Sequence, residues 1–422
     1  MSNRRGIFTY ENGLLLLLGI SFGVAFFDRN AATILVPYIE QDLHLTNTQV
    51  GFIGSSLAIA WAVGAYVIAR WSDARGVRKP FLLSFLLIFS ACSFLSGLAT
   101  TFPVLLISRF IMGAVEGPFL PVCLAIMAVE SSEHRRGINA GIMQNFFAAL
   151  LGQSVAPLVL IQVAEAFGWR AAFYIAGIPG LLCAIAVLLW VREPSQAAQA
   201  AVGAPVAGTQ EGGRMGLMQM LRVRNIALCC GISVFLVAWM ILGWTFLPKF
   251  FTDHRAMSPQ TMSYLMTTLG VASAVSGFGA PAISDRIGRK PIMITFCLAG
   301  VITPLAALYF HGSNLMLGVL MFLGWTATGA FPLFMGVIPG ETISRKYAAT
   351  AMGLVVCAGE VVGGFGITSL GGKLADLSSL TAPVLMQVIC AALGGRLCFF
   401  LVETAPAKVR AAAARPVMAR AA

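Results

Sequence analysis

Two clusters of ionisable residues interrupt apolar runs in this chain. Asp28 and Arg29 are adjacent within Ser21 to Pro37, with Leu14 to Phe27 apolar before them and Ala31 to Val36 after. Arg109 and Glu116 stand seven residues apart in another apolar run, close to two helical turns and therefore on one face. A guanidinium grips a carboxylate through a bidentate, charge-assisted contact. A carboxyl balanced between desolvation and a nearby Arg can take up and release a proton. The pattern therefore suits an anionic substrate held at Arg29, with Asp28 and Glu116 carrying the proton. Arrival of the anion at Arg29 withdraws support from the carboxylates and favours proton uptake. The plainer alternative is two salt bridges that pack helices. Arg109 is divided evenly between a ligand and a structural role.

The elements that position these groups are membrane spans. The run from about Gly13 to Tyr38 exceeds the roughly 20 residues needed to cross a bilayer. It places Asp28 and Arg29 near the midplane, where an ionised side chain costs about 3 kcal/mol or more unless it meets a partner or water. The 422 residues are 58% hydrophobic and 11% charged, against about 25% charged in soluble domains, which excludes a soluble fold. Arg4 and Arg5 precede a signal-like run with a small-x-small site at Gly23-Val24-Ala25. The run continues past that site, so it reads as an uncleaved first span.

Apolar runs predict an all-α, polytopic fold of twelve spans, near 13–38, 48–70, 80–100, 102–130, 136–163, 169–191, 225–250, 259–284, 289–310, 314–342, 346–373 and 381–402. Residues 1–191 form an N-terminal six-helix bundle and 225–402 a C-terminal one. Between them, 192–224 is rich in Ala, Gly, Pro and Gln and reads as a flexible cytoplasmic linker. Residues 403–422 read as a disordered cytoplasmic tail. Predicted outer loops hold only Arg170, Lys249, Arg255 and Lys373, and Arg29, Arg109 and Arg396 lie within spans. The rest of the 28 basic residues fall on the inner side, which places both termini in the cytoplasm. A bacterial inner membrane is the expected location. The net charge of +11 is spread over short loops, so it sets orientation and does not mark nucleic-acid binding.

An internal repeat joins the halves. Asp73-Ala74-Arg75-Gly76-Val77-Arg78-Lys79-Pro80 follows the second span and Asp285-Arg286-Ile287-Gly288-Arg289-Lys290-Pro291 the eighth, an offset of 285 − 73 = 212 residues. Gly141 and Gly353 keep the same offset. Parallel repeats about an axis along the membrane normal produce this pattern. Asp73 with Arg78, and Asp285 with Arg289, are placed to pair with each other or with helix ends of the opposite half, closing the inner face.

These loops resemble the signature of the major facilitator superfamily, with Ala69 and Pro281 standing where that family usually has Gly. Arg109-Phe110-Ile111-Met112-Gly113 and Gly168-Trp169-Arg170 are similar to its further motifs. The resemblance covers nearly the whole chain and implies a monomeric transporter working by alternating access. Asp28-Arg29 with Arg109 and Glu116 resembles the anion:cation symporter group, which implies proton-coupled uptake of a sugar acid or other carboxylate. Spinster-like carriers of amphiphiles share the Asp-Arg and Glu placement, and an amphiphile or drug exporter is the alternative. The resemblance also implies an aromatic cavity residue at Trp61.

Other polar or aromatic groups in apolar runs are cavity candidates: Gln144 and Asn145 in span five, Trp244 in span seven and Trp325 in span ten. Each could equally serve packing. Glu360 in span eleven and Arg396 in span twelve are read as a structural bridge; the alternatives are Glu360 as a second proton site and, since the resemblance implies a peripheral span twelve, an Arg396 that snorkels inward. Nine cysteines sit in apolar stretches without a C-x-x-C, and the four histidines fall in loops or span ends, so no metal or cofactor is expected. The sequence lacks H-E-x-x-H, G-x-S-x-G and G-x-x-x-x-G-K-[ST], which argues against an enzyme or ATP-driven pump. A non-transporting membrane sensor is disfavoured because no soluble signalling domain is present.

Overall fold

The computed structural model describes residues 9–132, 135, 139, 142–195, 217–343, 345–405 and 408. Twelve helices are long and apolar enough to cross a membrane. They are α1 (Tyr10–Ile34), α2 (Asn47–Arg75), α3 (Lys79–Gly97), α4 (Phe102–Glu130), α5 (Ala148–Phe167), α6 (Trp169–Trp190), α7 (Arg224–His254), α8 (Pro259–Ile287), α9 (Arg289–Tyr309), α10 (Asn314–Thr342), α11 (Thr350–Leu377) and α12 (Thr381–Cys398). Among the described residues there is no strand. The 212-residue offset recurs in the helix starts: α2 and α8 begin at 47 and 259, α4 and α10 at 102 and 314, α6 and α12 at 169 and 381.

Twelve crossings put the start of α1 at Tyr10 and the end of α12 at Cys398 on one side, here called the terminal face; the opposite side is the far face. Helices meet across the halves as α2 with α11 and α5 with α8. At the far face one apolar core joins the halves, holding Leu35, Ile39 and Val50 together with Phe246, Phe250 and Met262. Toward the terminal face it gives way to two separate cores, one around Phe85 and Phe119 and one around Met293 and Phe334.

Polar ties between the halves gather at the far face. Lys249 Nζ donates to Glu40 and to Asn47 Oδ1. Asp376 accepts the backbone N–H groups of Asn47 and Thr48, each at 2.7 Å. Gln260 Nε2 donates to Glu165 at 2.6 Å.

At the terminal face the repeat becomes a paired device. Gly76 (φ 65°) and Gly288 (φ 119°) turn the chain into α3 and α9. A helix start leaves backbone N–H groups unsatisfied and favours a carboxylate there. Glu193 fills that place for Arg78 N and Lys79 N at 2.6 and 2.7 Å, and Glu403 for Arg289 N and Lys290 N at 2.8 and 3.1 Å. Each Arg also reaches the serine preceding its motif Asp: Arg78 to Ser72 at 3.1 Å, Arg289 to Ser284 at 2.6 Å.

Arg289 pairs with Asp285 of α8 at 2.6 Å, one of the two arrangements expected, and also with Glu341 of α10 at 2.9 Å; both partners are in its own half, so these contacts tie α9 to α8 and α10 and do not bridge the halves. Two expectations change here. Glu403, read as tail, is fixed by the α9 N-terminus. The segment read as linker contains the helix Leu217–Leu221, whose Met220 is buried. Residues 196–216, Gly141 and the Asp73 side chain lie outside the described residues.

Candidate transport site

α1 runs unbroken past its charged pair, so Asp28 and Arg29 leave the helix about 100° apart. Arg29 points into a cavity between the halves, while Asp28 turns into the N-terminal bundle. The cavity, about 190 Å³, is bounded by Phe26, Arg29, Trp61 and Arg109 from one half and Met240, Trp244, Phe331 and Glu360 from the other, among others.

Asp28 is fully buried. Ser93 of α3 donates to its Oδ1 at 2.8 Å, and Arg109 Nη1 lies 4.0 Å away. Arg109 also donates to the Asp28 carbonyl at 3.4 Å and to Ser96, and covers the Phe173 ring at 5.2 Å. Ser96 and Ser108 share a hydrogen bond of 2.7 Å. A buried charge is tolerated when paired and hydrogen-bonded, and this network meets that condition for Arg109.

Arg29 has a looser partner. Its Nη1 is 3.8 Å from Glu116 Oε2, and its guanidinium lies 5.5 Å from the Phe26 ring and 5.9 Å from the Trp61 ring. The Arg29 side chain is 16% exposed and that of Glu116 5%. Neither Glu116 carboxylate oxygen has a hydrogen-bond partner. Glu116 ends the first part of α4, just before Gly117 and Pro118. Gly117 packs on α2 so closely that a Cβ there would lie 2.1 Å from the Trp61 carbonyl oxygen. That approach brings Glu116, Trp61 and Arg29 to one place, as the Gly113 and Gly117 spacing suggests.

Residues 18–249 and 227–420 match the family model described as Major Facilitator Superfamily. The chain belongs to the Major Facilitator Superfamily. It is 26% identical over 352 residues to the probable 4-methylmuconolactone transporter of Cupriavidus pinatubonensis, covering 82% of this chain and 79% of that one. To the sialic acid transporter NanX of Escherichia coli it is 26% identical over 313 residues, covering 71% and 73%. A crystal structure of a D-xylose-proton symporter superposes with a TM-score of 0.74 at 18% identity, covering 94% of this chain and 99% of the other. The chain is thus a multi-pass membrane transporter of this superfamily and not an enzyme.

Within the superfamily fold, the candidate residues separate. Arg29, Trp61, Arg109, Trp244 and Glu360 border the cavity. Trp325 does not: its indole N–H donates to Ser273 at 3.1 Å, and its ring packs on Trp239 at 4.4 Å and edge-on to Trp244 at 5.8 Å. It backs the cavity wall and does not form it. The expected Glu360–Arg396 bridge is also absent. Buried Gln387, Ala391, Gly394 and Cys398 define the packed face of α12. Arg396, two residues beyond Gly394, is turned roughly 200° from it and is exposed. The side chains of Gln144 and Asn145 lie outside the described residues.

Sequence reasoning missed Ser93 and Ser96, which hold the buried pair, and Asn30, which donates to the Gly152 carbonyl at 2.7 Å. That carbonyl belongs to a π-helical stretch, Ala148–Val155, whose altered hydrogen bonding leaves oxygens for other donors. The three-residue spacing of Ser90, Ser93 and Ser96 marks one polar helix face, the only signal available.

Proposed function

We propose that this transporter takes up a small organic anion together with protons by alternating access, with the terminal face cytoplasmic. The observation that carries the reading is Arg29, whose guanidinium faces the cavity between the Phe26 and Trp61 rings and whose one ion pair among the described residues is the long, 3.8 Å pairing with Glu116. A substrate carboxylate can displace that partner, and Glu116, freed without another hydrogen bond, then takes the proton. Asp28 is the second proton site, reached when the Arg109 network rearranges. The names of the relatives, one of them a sialic acid transporter, support an acidic substrate. The polar ties gathered at the far face support a state closed on that side, with the route toward the terminal face.

Proteoliposome uptake of sugar acids, aromatic acids and dicarboxylates, with and without a pH gradient, tests the reading. Arg29→Ala should abolish uptake. Glu116→Gln and Asp28→Asn should lose gradient-driven accumulation and keep some exchange. Wild-type accumulation in both carboxyl variants would remove the proton assignment. The second reading, an exporter of amphiphiles, draws on the aromatic and methionine walls of the cavity; efflux of lysolipid in place of acid uptake would favour it.

A further inference from the structure

Glu360 is the one acidic group that the C-terminal half brings to the cavity wall. It lies at the start of a π-helical stretch, Gly359–Ile367. Gly363, one turn on, packs against α7 so tightly that a Cβ would sit 2.2 Å from the Val234 carbonyl oxygen. The backbone is therefore fixed at this point, and the carboxyl is aimed by it. Glu360 is 7% exposed, its Oε2 has no hydrogen-bond partner, and among the described residues it forms no ion pair. Arg29, from the opposite half, borders the same cavity.

Charges around the cavity do not cancel. Asp28 and Arg109 pair with each other, leaving Arg29 against both Glu116 and Glu360. A simple carboxylate on Arg29 adds a negative charge opposite Glu360 and leaves that buried carboxyl without a partner, an unfavourable arrangement. A substrate carrying both a carboxylate and a cationic nitrogen satisfies Arg29 and Glu360 together. The faces of Phe26, Trp61, Trp244 and Phe331 line the space between, and aromatic faces attract cations.

We propose that Glu360 is the second pole of the substrate site and that the substrate is a compact zwitterion, its carboxylate on Arg29 and its cationic nitrogen at Glu360. This rests on the anion reading given above, which it narrows.

The test uses the purified full-length chain and four matched probes: butanoate, 4-hydroxybutanoate, 4-aminobutanoate and 4-(trimethylammonio)butanoate. Binding is read from quenching of tryptophan fluorescence, since Trp61 and Trp244 border the cavity, and from competition in proteoliposome uptake. Wild-type protein should bind the two nitrogen-bearing probes about ten-fold or more tighter than butanoate, a difference of about 1.4 kcal/mol. Glu360→Gln, which keeps the shape, should erase that preference by weakening the two nitrogen-bearing probes, and should bind butanoate as tightly as wild type or more tightly, since the opposing charge is gone; an unchanged melting temperature shows that the variant is folded. No wild-type preference for a cationic nitrogen, or a preference that survives Glu360→Gln, overturns the proposal. A preference for the hydroxy acid also overturns it, pointing to a protonated Glu360 that serves hydroxyl groups. Butanoate binding that depends on Arg29 while Glu360→Gln changes no ratio sinks this inference alone. Failure of all four probes to bind, or binding that survives Arg29→Ala, sinks the anion reading and this inference with it.

Discussion

The two halves share a backbone plan and differ in what they bury. At the terminal face they match closely, each with a left-handed glycine, an Arg reaching back to a serine, and a carboxylate from beyond the sixth or twelfth span on the new helix start. In the membrane the match ends. The positions 212 residues beyond Asp28, Arg29, Arg109 and Glu116 are Met240, Ile241, Met321 and Thr328. Met240 and Ile241 border the same cavity as Arg29, and Met321 is fully buried in apolar surroundings. Position 148, the counterpart of Glu360, is Ala. The repeat therefore preserves the scaffold and the loop hardware, while charge is placed by half: a four-group cluster on one side, a lone carboxyl on the other. Apolar residues at Met321 show that this backbone has no need of an ion pair to pack there, which argues that Arg109 and Asp28 are kept for more than packing.

That contrast can be broken by giving the first half the second half's solution. Arg109→Met leaves Asp28 buried with only Ser93 on its carboxylate, and removing one partner of a buried pair costs about 3–5 kcal/mol. Adding Asp28→Leu should recover most of the loss, because an apolar replacement of a whole buried pair is often neutral or better. Unfolding equilibria in detergent measure the recovery, and transport should stay absent in the double variant. A double variant as unstable as Arg109→Met alone would show that this site, unlike its counterpart around Met321, depends on charge for its fold.

A smaller effect tests where the halves agree. Glu193→Ala and Glu403→Ala each remove the two hydrogen bonds that a helix start donates to a carboxylate, and Glu403→Ala also removes those from Thr404 N and Ala405 N. Bonds to charged groups contribute about 1.5–3 kcal/mol when buried, and solvent reduces this for Glu193, which is the more exposed. A loss of about 1–2 kcal/mol is expected for Glu403→Ala and less for Glu193→Ala, read from the same equilibria. A loss in one half only would mean that the paired geometry does not have paired energetics.

Much of this was legible in the sequence because a bilayer imposes it. Spans must be long and apolar, so their number and repeat could be read directly, and Asp28, Arg29 and Glu116 stood out as charges where charge is costly. Pairing was less legible. Four charges at similar depth can pair in more than one way, and the choice made here depends on Ser93 and Ser96, ordinary residues in an apolar span. Trp244 and Trp325 look alike in sequence, yet one borders the cavity and the other stands behind it; the irregularity of α10 nearby, a 3₁₀ stretch at Thr326–Ala330, is announced only by Pro332, which cannot donate to the Thr328 carbonyl. Glu193 and Glu403 were hidden for another reason: their partners are backbone N–H groups, which every residue but proline carries.

The smallest effect lies at the far face, where the halves differ again. Asp42 accepts the Trp169 indole N–H at 3.1 Å and a hydrogen bond from Arg170, joining the short helix Val36–Leu43 that follows α1 to the start of α6. Arg170, and then Trp169, hold its carboxyl below the usual carboxylate range. The corresponding positions in the second half are His254, Thr381 and Ala382, which offer no such charged tether. A carboxyl whose folded pKa lies below its unfolded one, about 3.9 for Asp, adds stability that is complete above that value and disappears as pH falls through the folded one. Asp42→Asn should therefore lower the melting temperature slightly at pH 7, and the gap to wild type should narrow as pH falls below about 3.9 toward the folded value. Since Asp42 is largely solvated, the shift is modest; a difference between Asp42→Asn and wild type that persisted undiminished at pH 3 would mean that the tether acts through shape and that its charge contributes nothing.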